Sequence, residues 1–422
     1  MNQAYNRDAL LHQLQYIKVH ETNINNVDQL INILQLNIAP SLWANMKKQK
    51  RLNMLAIQST QTLSIENKKI MHLYLVSLLT DLTSLEASSN EIFDISCISQ
   101  LKELANLNLD RNFVEDISPL KKLTKLKHLN LSGNLITTYN LALPNLEELD
   151  LSHNTLDDIS GLQYSHKLTT LSLCKTTTSN IDCLEQLYNL SNLNLGCNPI
   201  TNVQPISNLV NVEVLDFYAC NQLQNIVPLK NCTQVQFLNI SETQISDIWT
   251  LQFMQDLQTL YAWQTNIIDL HPLQHLYCLV HITLNESKVI DVTPLKNLDL
   301  DELYICANKI QDFLPIQHHK NFPIDTQEES DEEQPYDICV QQIPTAEELK
   351  FYNKILSVHS SQKQIREIKI ENKITKFRNS LTQKKNCVSV MLNNQIMVMN
   401  TQLEILVQFM QNNTTLAANY LD

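Results

Sequence analysis

A hydrophobic pattern with a period of about 22 residues runs through the middle of the chain. It is clearest in residues 104–123, LANLNLDRNFVEDISPLKKL. The same frame begins at eleven positions: Leu82, Leu104, Leu126, Leu146, Leu168, Leu190, Val212, Val235, Leu257, Leu279 and Leu300. A single unit of this size cannot bury its apolar face without neighbours. Eleven units at nearly constant spacing therefore predict a solenoid in which successive units stack.

Each unit divides into a strand segment and a turn segment. The opening L-x-x-L-x-L alternates apolar and other residues, which predicts a short strand with one buried face. The ninth residue, which follows the strand, has a side chain able to hydrogen-bond the backbone in every unit: Asn90, Asn112, Asn134, Asn154, Thr176, Asn198, Cys220, Thr243, Thr265, Ser287 and Asn308. In register, these residues should form a ladder that satisfies backbone groups. The second half, D-I-x-P-L-x-x-L, is too short for a full helix and predicts a turn or 3₁₀ helix.

This unit resembles the leucine-rich repeat family, specifically its short 22-residue class. That class includes bacterial internalins and the leucine-rich regulatory subunit of protein phosphatase 1. The resemblance covers residues 82–322 and implies an α/β solenoid: a horseshoe with a parallel concave sheet and a convex side of short 3₁₀ helices and turns. Upstream, the frame weakens but persists, so we expect residues 1–81 to hold an N-terminal cap and, from residue 14, about three degenerate repeats.

The remainder of the chain differs in composition from the repeats. Residues 323–343 contain the acidic run TQEESDEEQ and are expected to be a linker. Residues 344–422 begin with a capping box formed by Thr345 and Glu348, followed by two helical patterns, a hairpin pattern and a final helix. They predict a small α+β unit, which is either a C-terminal cap of the solenoid or an independent module.

Composition excludes several classes of function. A net charge of −13 argues against a nucleic-acid partner, because phosphate binding requires a basic face. With three glycines the chain has no glycine-rich phosphate loop, and it shows no nucleophile–base or metal-ligand motif. We therefore expect a non-enzyme without cofactor, cofactor-binding site or metal. A signal-peptide pattern and a membrane-length apolar stretch are both absent, so we expect no membrane association.

The expected location is cytoplasmic, with the nucleus as the alternative, and the expected state is a monomer. Ten cysteines without paired C-x-x-C spacing favour a reducing compartment.

Function is predicted to lie on the concave sheet, which is lined by positions three, five and seven of each repeat. In the first six repeats none of these eighteen positions is aromatic, whereas in the last five repeats five of fifteen are, when about one is expected from 6% aromatic residues. Exposed aromatic residues clustered on one surface are typical of binding hot spots. The candidate partner-binding residues are Tyr218, Phe237, Tyr261, Trp263, Tyr304, Asp216, His281 and Glu302.

These residues favour a non-catalytic scaffold that binds a partner protein on the concave face. Two structural alternatives remain: the aromatic residues pack along the sheet as cross-strand neighbours, or they contact the C-terminal unit. A regulatory subunit of a phosphatase 1-type enzyme is the alternative function. That family alternates acidic and aromatic residues down one concave column. The seventh position here lacks the alternation: Ser88, Asp110, Ser132, Ser152, Cys174, Gly196, Tyr218, Ser241 and Trp263. Adhesion of the internalin type is a third possibility, and it is disfavoured because no signal sequence or anchor is evident.

Overall fold

A computed structural model of the protein describes residues 22–38, 40–48 and 52–319. The predicted acidic linker (323–343) and C-terminal unit (344–422) lie outside the described residues, as does the expected cap at 1–13.

Twelve short strands form one open, parallel sheet in which every strand pairs with its sequence neighbours. Their bounds are β3 Thr62–Ser64, β4 Ser84–Glu86, β5 Asn106–Asn108, β6 His128–Asn130, β7 Glu148–Asp150, β8 Thr170–Ser172, β9 Asn192–Asn194, β10 Val214–Asp216, β11 Phe237–Asn239, β12 Thr259–Tyr261, β13 His281–Thr283 and β14 Glu302–Tyr304. Equivalent repeat positions pair directly, so that Leu107 lies beside Leu129 and both are 2% exposed. The predicted leucine-rich repeat solenoid is confirmed.

The segment before the sheet is helical. Strands β1 (Thr22–Asn23) and β2 (Leu52–Asn53) pair with each other, and between them lie helices α1 (Val27–Leu34) and α2 (Pro40–Lys48). Asn26 caps α1, because its side chain accepts a hydrogen bond of 2.8 Å from the Gln29 backbone N–H. Residues 27–48 therefore form two helices where degenerate repeats are expected, whereas the unit near residue 60 does join the sheet as β3.

Short 3₁₀ helices follow most of the strands, as predicted. They span Leu55–Ile57, Val76–Leu78, Ser96–Gln100, Ser118–Lys122, Ser160–Tyr164, Asp182–Leu184, Gln204–Ile206, Val227–Asn231, Trp249–Phe253, His271–Leu273, Thr293–Leu295 and Leu314–Ile316. An Asp or Asn side chain accepts a hydrogen bond from the first backbone N–H of eleven of them. In one, Asp116 Oδ1 accepts a 2.8 Å hydrogen bond from the Ser118 N–H. The unit that begins at Leu126 is two residues shorter than the 22-residue repeat. All of its residues are described, and none of them forms a 3₁₀ helix.

The ninth-position ladder is also confirmed. Asn112 Oδ1 accepts a 3.0 Å hydrogen bond from the Ile92 N–H, and Asn112 Nδ2 donates to the Ala87 and Leu109 carbonyls at 3.0 and 2.9 Å. One side chain thus satisfies three buried backbone groups in two repeats. The hydroxyl of Thr265 satisfies fewer, since it donates to the Ala262 carbonyl at 3.0 Å and otherwise contacts a neighbouring hydroxyl.

The eighth position has a backbone conformation that sequence inspection does not suggest. In all eleven repeats its φ is positive, between 52° and 65°: Ser89, Arg111, Gly133, His153, Lys175, Cys197, Ala219, Glu242, Gln264, Glu286 and Ala307. Ten of these residues are not glycine, although the left-handed region disfavours side chains. The resulting turn brings the eighth side chain to the edge of the concave face, as shown by Arg111 Nε, which lies 3.3 Å from Asp110 Oδ2.

Candidate functional site

The concave face of the first six repeats consists of polar side chains that satisfy one another. Asn108 Nδ2 donates to Glu86 Oε2 at 2.8 Å, and Ser152 Oγ and Ser172 Oγ lie 2.7 Å apart. Burial raises the pKa of Asp110 to about 6, although the adjacent Arg111 guanidinium acts in the opposite direction. We call this surface the polar half. Several of its polar groups already have partners within the sheet, so a bound molecule would have to compete with these hydrogen bonds.

The remaining repeats carry the aromatic residues, and the structure brings them together. The aromatic patch is defined as Tyr218, Phe237, Tyr261, Trp263 and Tyr304, all partly exposed. The rings of Phe237 and Tyr261 meet edge to face with centroids 5.4 Å apart, and those of Tyr218 and Trp263 lie 5.9 Å apart at 38°. Both geometries are favourable aromatic pairings. The expected cross-strand packing is therefore present, and it leaves part of each ring exposed.

Ser241 lies in the seventh-position column between Tyr218 and Trp263, on the intervening repeat. These two rings belong to repeats that are not adjacent, yet their centroids approach to 5.9 Å. The Ser241 side chain is 0% exposed, and its hydroxyl has no hydrogen-bond partner among the described residues. A buried hydroxyl without a partner costs about 1–3 kcal/mol. Ser241 is therefore a polar group that a bound molecule could satisfy if the two rings separated.

Asp216 belongs to the predicted set but is only 3% exposed. Its Oδ1 accepts a 2.8 Å hydrogen bond from the Tyr218 N–H, as fifth-position side chains do in several other repeats. Burial raises the pKa of Asp216 to about 6, and the hydrogen bond from Tyr218 lowers it to a smaller extent. In this position the side chain supports the strand end that carries Tyr218, and its burial prevents direct contact with a partner.

The last two repeats place the other predicted residues at one end of the patch. His281 Nδ1 lies 3.5 Å from Glu302 Oε2, and both side chains are partly exposed, at 22% and 30%. Tyr304 follows two residues after Glu302 on strand β14. These three residues continue the aromatic and polar surface toward the C-terminal end of the described sheet.

Two acidic residues of the site are missing from the predicted set. Tyr218 donates a 2.7 Å hydrogen bond from its hydroxyl to Glu242 Oε1, and Gln264 Nε2 donates to Glu286 Oε2 at 2.7 Å. Glu242 and Glu286 occupy the eighth position, which lies beside the concave face because of its positive φ. A count limited to positions three, five and seven therefore overlooks them.

Comparison with known proteins supports the same fold. The family model for leucine-rich repeats in two copies matches residues 124–164. No curated protein matches the chain. Neither α-helix in the described part of the chain combines the length and apolar character that a membrane crossing requires.

Several solved structures superpose on this chain over most of its length. An internalin, InlF, from Listeria monocytogenes is 25% identical with a TM-score of 0.56, and the match covers 68% of this chain and 94% of that protein. A leucine-rich repeat protein of Leptospira interrogans is 23% identical with a TM-score of 0.54, covering 58% and 74%. The functional domain of InlJ from Listeria monocytogenes is 22% identical with a TM-score of 0.50, covering 63% and 68%.

The last two similarities concern the fold alone. Three observations agree on a leucine-rich repeat fold: the 22-residue unit, the open parallel sheet with its 3₁₀ helices, and the match to the family model. The chain is a leucine-rich repeat protein whose repeats resemble those of internalins.

Proposed function

We propose that this protein is a non-catalytic scaffold that binds a partner protein through the aromatic patch. The observation that carries the proposal is the presence of five partly exposed aromatic residues on one half of the concave sheet, four of them in ring-to-ring contact. Solenoids of this kind present extended concave surfaces to macromolecules. Trp and Tyr are also among the residues most enriched at binding hot spots, where truncation to Ala causes the largest loss of binding energy.

The division of the concave face supports a contact at the aromatic patch rather than on the polar half. Side chains of the polar half hydrogen-bond one another, so a partner would have to replace existing hydrogen bonds there. In the aromatic patch a partner would instead cover apolar ring surface, which contributes about 25 cal/mol for each Å² removed from water. Asp216 supports this surface from beneath, whereas His281 and Glu302 border it.

We further propose that the protein works in a reducing compartment, in the cytoplasm or nucleus. All eight cysteines among the described residues are free thiols. Disulfides form readily in oxidising compartments and are rare in the cytosol. Oxidation state measured by mass spectrometry on the protein from its native cells tests this location. Pairing of these thiols in disulfides would contradict it.

Selection from a random peptide library displayed on phage tests the binding function. The full chain serves as bait, and each selected sequence is measured against Tyr261→Ala/Trp263→Ala. We expect binders whose affinity falls at least about tenfold in this variant, because truncation of two hot-spot aromatic residues typically costs more than 1 kcal/mol each.

The chain offers a matched control on its other side. Trp249 and Phe253 form an edge-to-face pair with centroids 5.1 Å apart in a 3₁₀ helix, and they are 44% and 39% exposed. Trp249→Ala/Phe253→Ala therefore removes a similar pair from outside the concave sheet. Binders that respond to this control and not to the concave variant would contradict the proposed surface. Circular dichroism must show that both variants remain folded.

A further inference from the structure

The charge around the aromatic patch is of one sign. In the five repeats from Val212, positions two, three, five, seven and eight include six carboxylate residues: Glu213, Asp216, Glu242, Glu286, Asp301 and Glu302. The same positions contain no Lys or Arg, and His281 is the one histidine among them. The eighth position of the polar half is different, since it includes Arg111 and Lys175. The negative potential is therefore concentrated beside the aromatic rings.

Two of these carboxylates are held where they can act together with the rings. One oxygen of Glu242 accepts from the Tyr218 hydroxyl, and one oxygen of Glu286 accepts from Gln264 Nε2, each at 2.7 Å. Among the described residues, no hydrogen bond involves the second oxygen of either side chain. Each glutamate is thus hydrogen-bonded to a residue on or beside the patch and keeps an oxygen able to accept from a donor outside the chain.

A cation fits this combination better than a neutral or acidic group does. An aromatic face attracts a cation by about 0.5–2 kcal/mol, with Trp the most favourable ring and Arg the more frequent partner. A guanidinium can stack on a ring and donate to a carboxylate at the same time, because its donors lie in the plane of the group. An acidic segment would instead be placed opposite several carboxylates, which would repel it.

We infer that the occupant of the aromatic patch is a basic polypeptide segment of a partner protein, with an Arg or Lys side chain between Trp263 and the Glu242 and Glu286 carboxylates. The inference rests on the proposed function and specifies its partner class. If the Tyr218 and Trp263 rings separated, a main-chain carbonyl of such a segment could also accept from the buried Ser241 hydroxyl, which has no partner within the described residues.

The test uses a defined probe, a twelve-residue peptide of alternating Arg and Gly, with the full-length protein. A second peptide with citrulline in place of Arg keeps the shape and removes the charge. We expect the Arg peptide to bind and the citrulline peptide to bind at least about tenfold more weakly. Trp263→Ala should weaken binding of the Arg peptide by about tenfold as well.

A charge-matched control separates a site from general attraction to an acidic protein. Glu242→Gln/Glu286→Gln and Glu115→Gln/Glu185→Gln each remove two negative charges. The second pair consists of exposed residues of the first six repeats that do not occupy concave positions. We expect about a tenfold loss for the first double variant and less than a twofold loss for the second. Equal losses would show attraction to net charge only and would overturn the inference.

The phage selection distinguishes this inference from the proposed function. Selected peptides that depend on Trp263 and are enriched in Arg or Lys support both. Peptides that depend on Trp263 without net positive charge leave the proposed function intact and overturn the inference. Failure to obtain any Trp263-dependent binder contradicts the proposed function itself.

A photoreactive residue at position 283 of the full chain, where the partly exposed Thr283 lies between Tyr261 and Tyr304, identifies other occupants without removing an aromatic ring. A crosslink within the same chain, or between two copies of it, would assign the patch to this protein and overturn the inference. A crosslink to the added Arg peptide supports it.

Discussion

Replacement of the buried Asp216 by Asn is expected to stabilise the protein above about pH 6. Burial raises the pKa of Asp216 from its ordinary value of 3.8 to about 6, so the folded state disfavours the charged carboxylate. A gap of about two pKa units corresponds to about 3 kcal/mol. The Asp216→Asn side chain retains the oxygen that accepts from the Tyr218 N–H. Its amide would join the neighbouring carboxamides of Asn194 and Asn239 in the fifth-position column.

The sign of the pH dependence follows from the raised pKa. Well below pH 3.8 the carboxyl is protonated in both states, so the wild-type protein and the variant should differ little. Between pH 3.8 and about 6 the unfolded state ionises before the folded state, and the wild-type protein loses stability relative to the variant. Above about pH 6 the difference is constant, and about 3 kcal/mol is its upper limit.

Urea unfolding monitored by circular dichroism measures this difference across the pH range. Glu213→Gln is the control, because Glu213 is an exposed carboxylate of the same repeat. We expect it to change the free energy of unfolding by less than about 0.5 kcal/mol. A destabilised Asp216→Asn variant, or a stability gain that is the same at pH 4 and pH 8, would refute the argument from burial.

Three further predictions concern the repeats. Asn112→Ala removes the partners of three buried backbone groups, so it should lower the free energy of unfolding by about 3 kcal/mol, measured by urea unfolding. Thr265→Ala removes one such hydrogen bond and should lower it by about 1 kcal/mol. Equal losses in the two variants would contradict the ladder's role. Gly161→Ala should lower the melting temperature, because a Cβ there would lie 2.6 Å from a backbone nitrogen of the preceding repeat. An unchanged melting temperature would contradict this expectation and show that the backbone adjusts. Peptide mapping after iodoacetamide treatment at neutral pH should find the exposed Cys278 alkylated and Cys220 unmodified, since burial raises the Cys220 pKa to about 12. Equal alkylation of the two would contradict this burial.

The fold of residues 82–319 could be predicted because the same pattern of apolar and hydrogen-bonding positions recurs in every unit. Each Leu or Asn contributes to the same position of neighbouring units, so local exceptions do not obscure the pattern. The N-terminal region lacks this redundancy. Ile24 and Val27 fit the weak 22-residue frame, but Val27, Leu30 and Leu34 also follow helical spacing, and Asn26 is a good helix cap. There the helical preference prevails.

The candidate site could be predicted in part. Alternation along each strand correctly indicates which aromatic residues line the concave face, because side chains of a strand point to opposite sides in turn. The contact between Tyr218 and Trp263 could not be predicted, since it spans a repeat and depends on the small side chain of Ser241. The burial of Asp216 likewise depends on its neighbours.

Hydroxyl-radical footprinting tests the central claim most directly, because it reports the exposure of individual tryptophan side chains. The full chain is oxidised with and without a peptide obtained from the phage selection. We expect the peptide to lower the oxidation of Trp263. Oxidation of Trp249, which is 44% exposed in a 3₁₀ helix, should remain unchanged. Protection of Trp249 with no change at Trp263 would contradict binding on the concave aromatic patch.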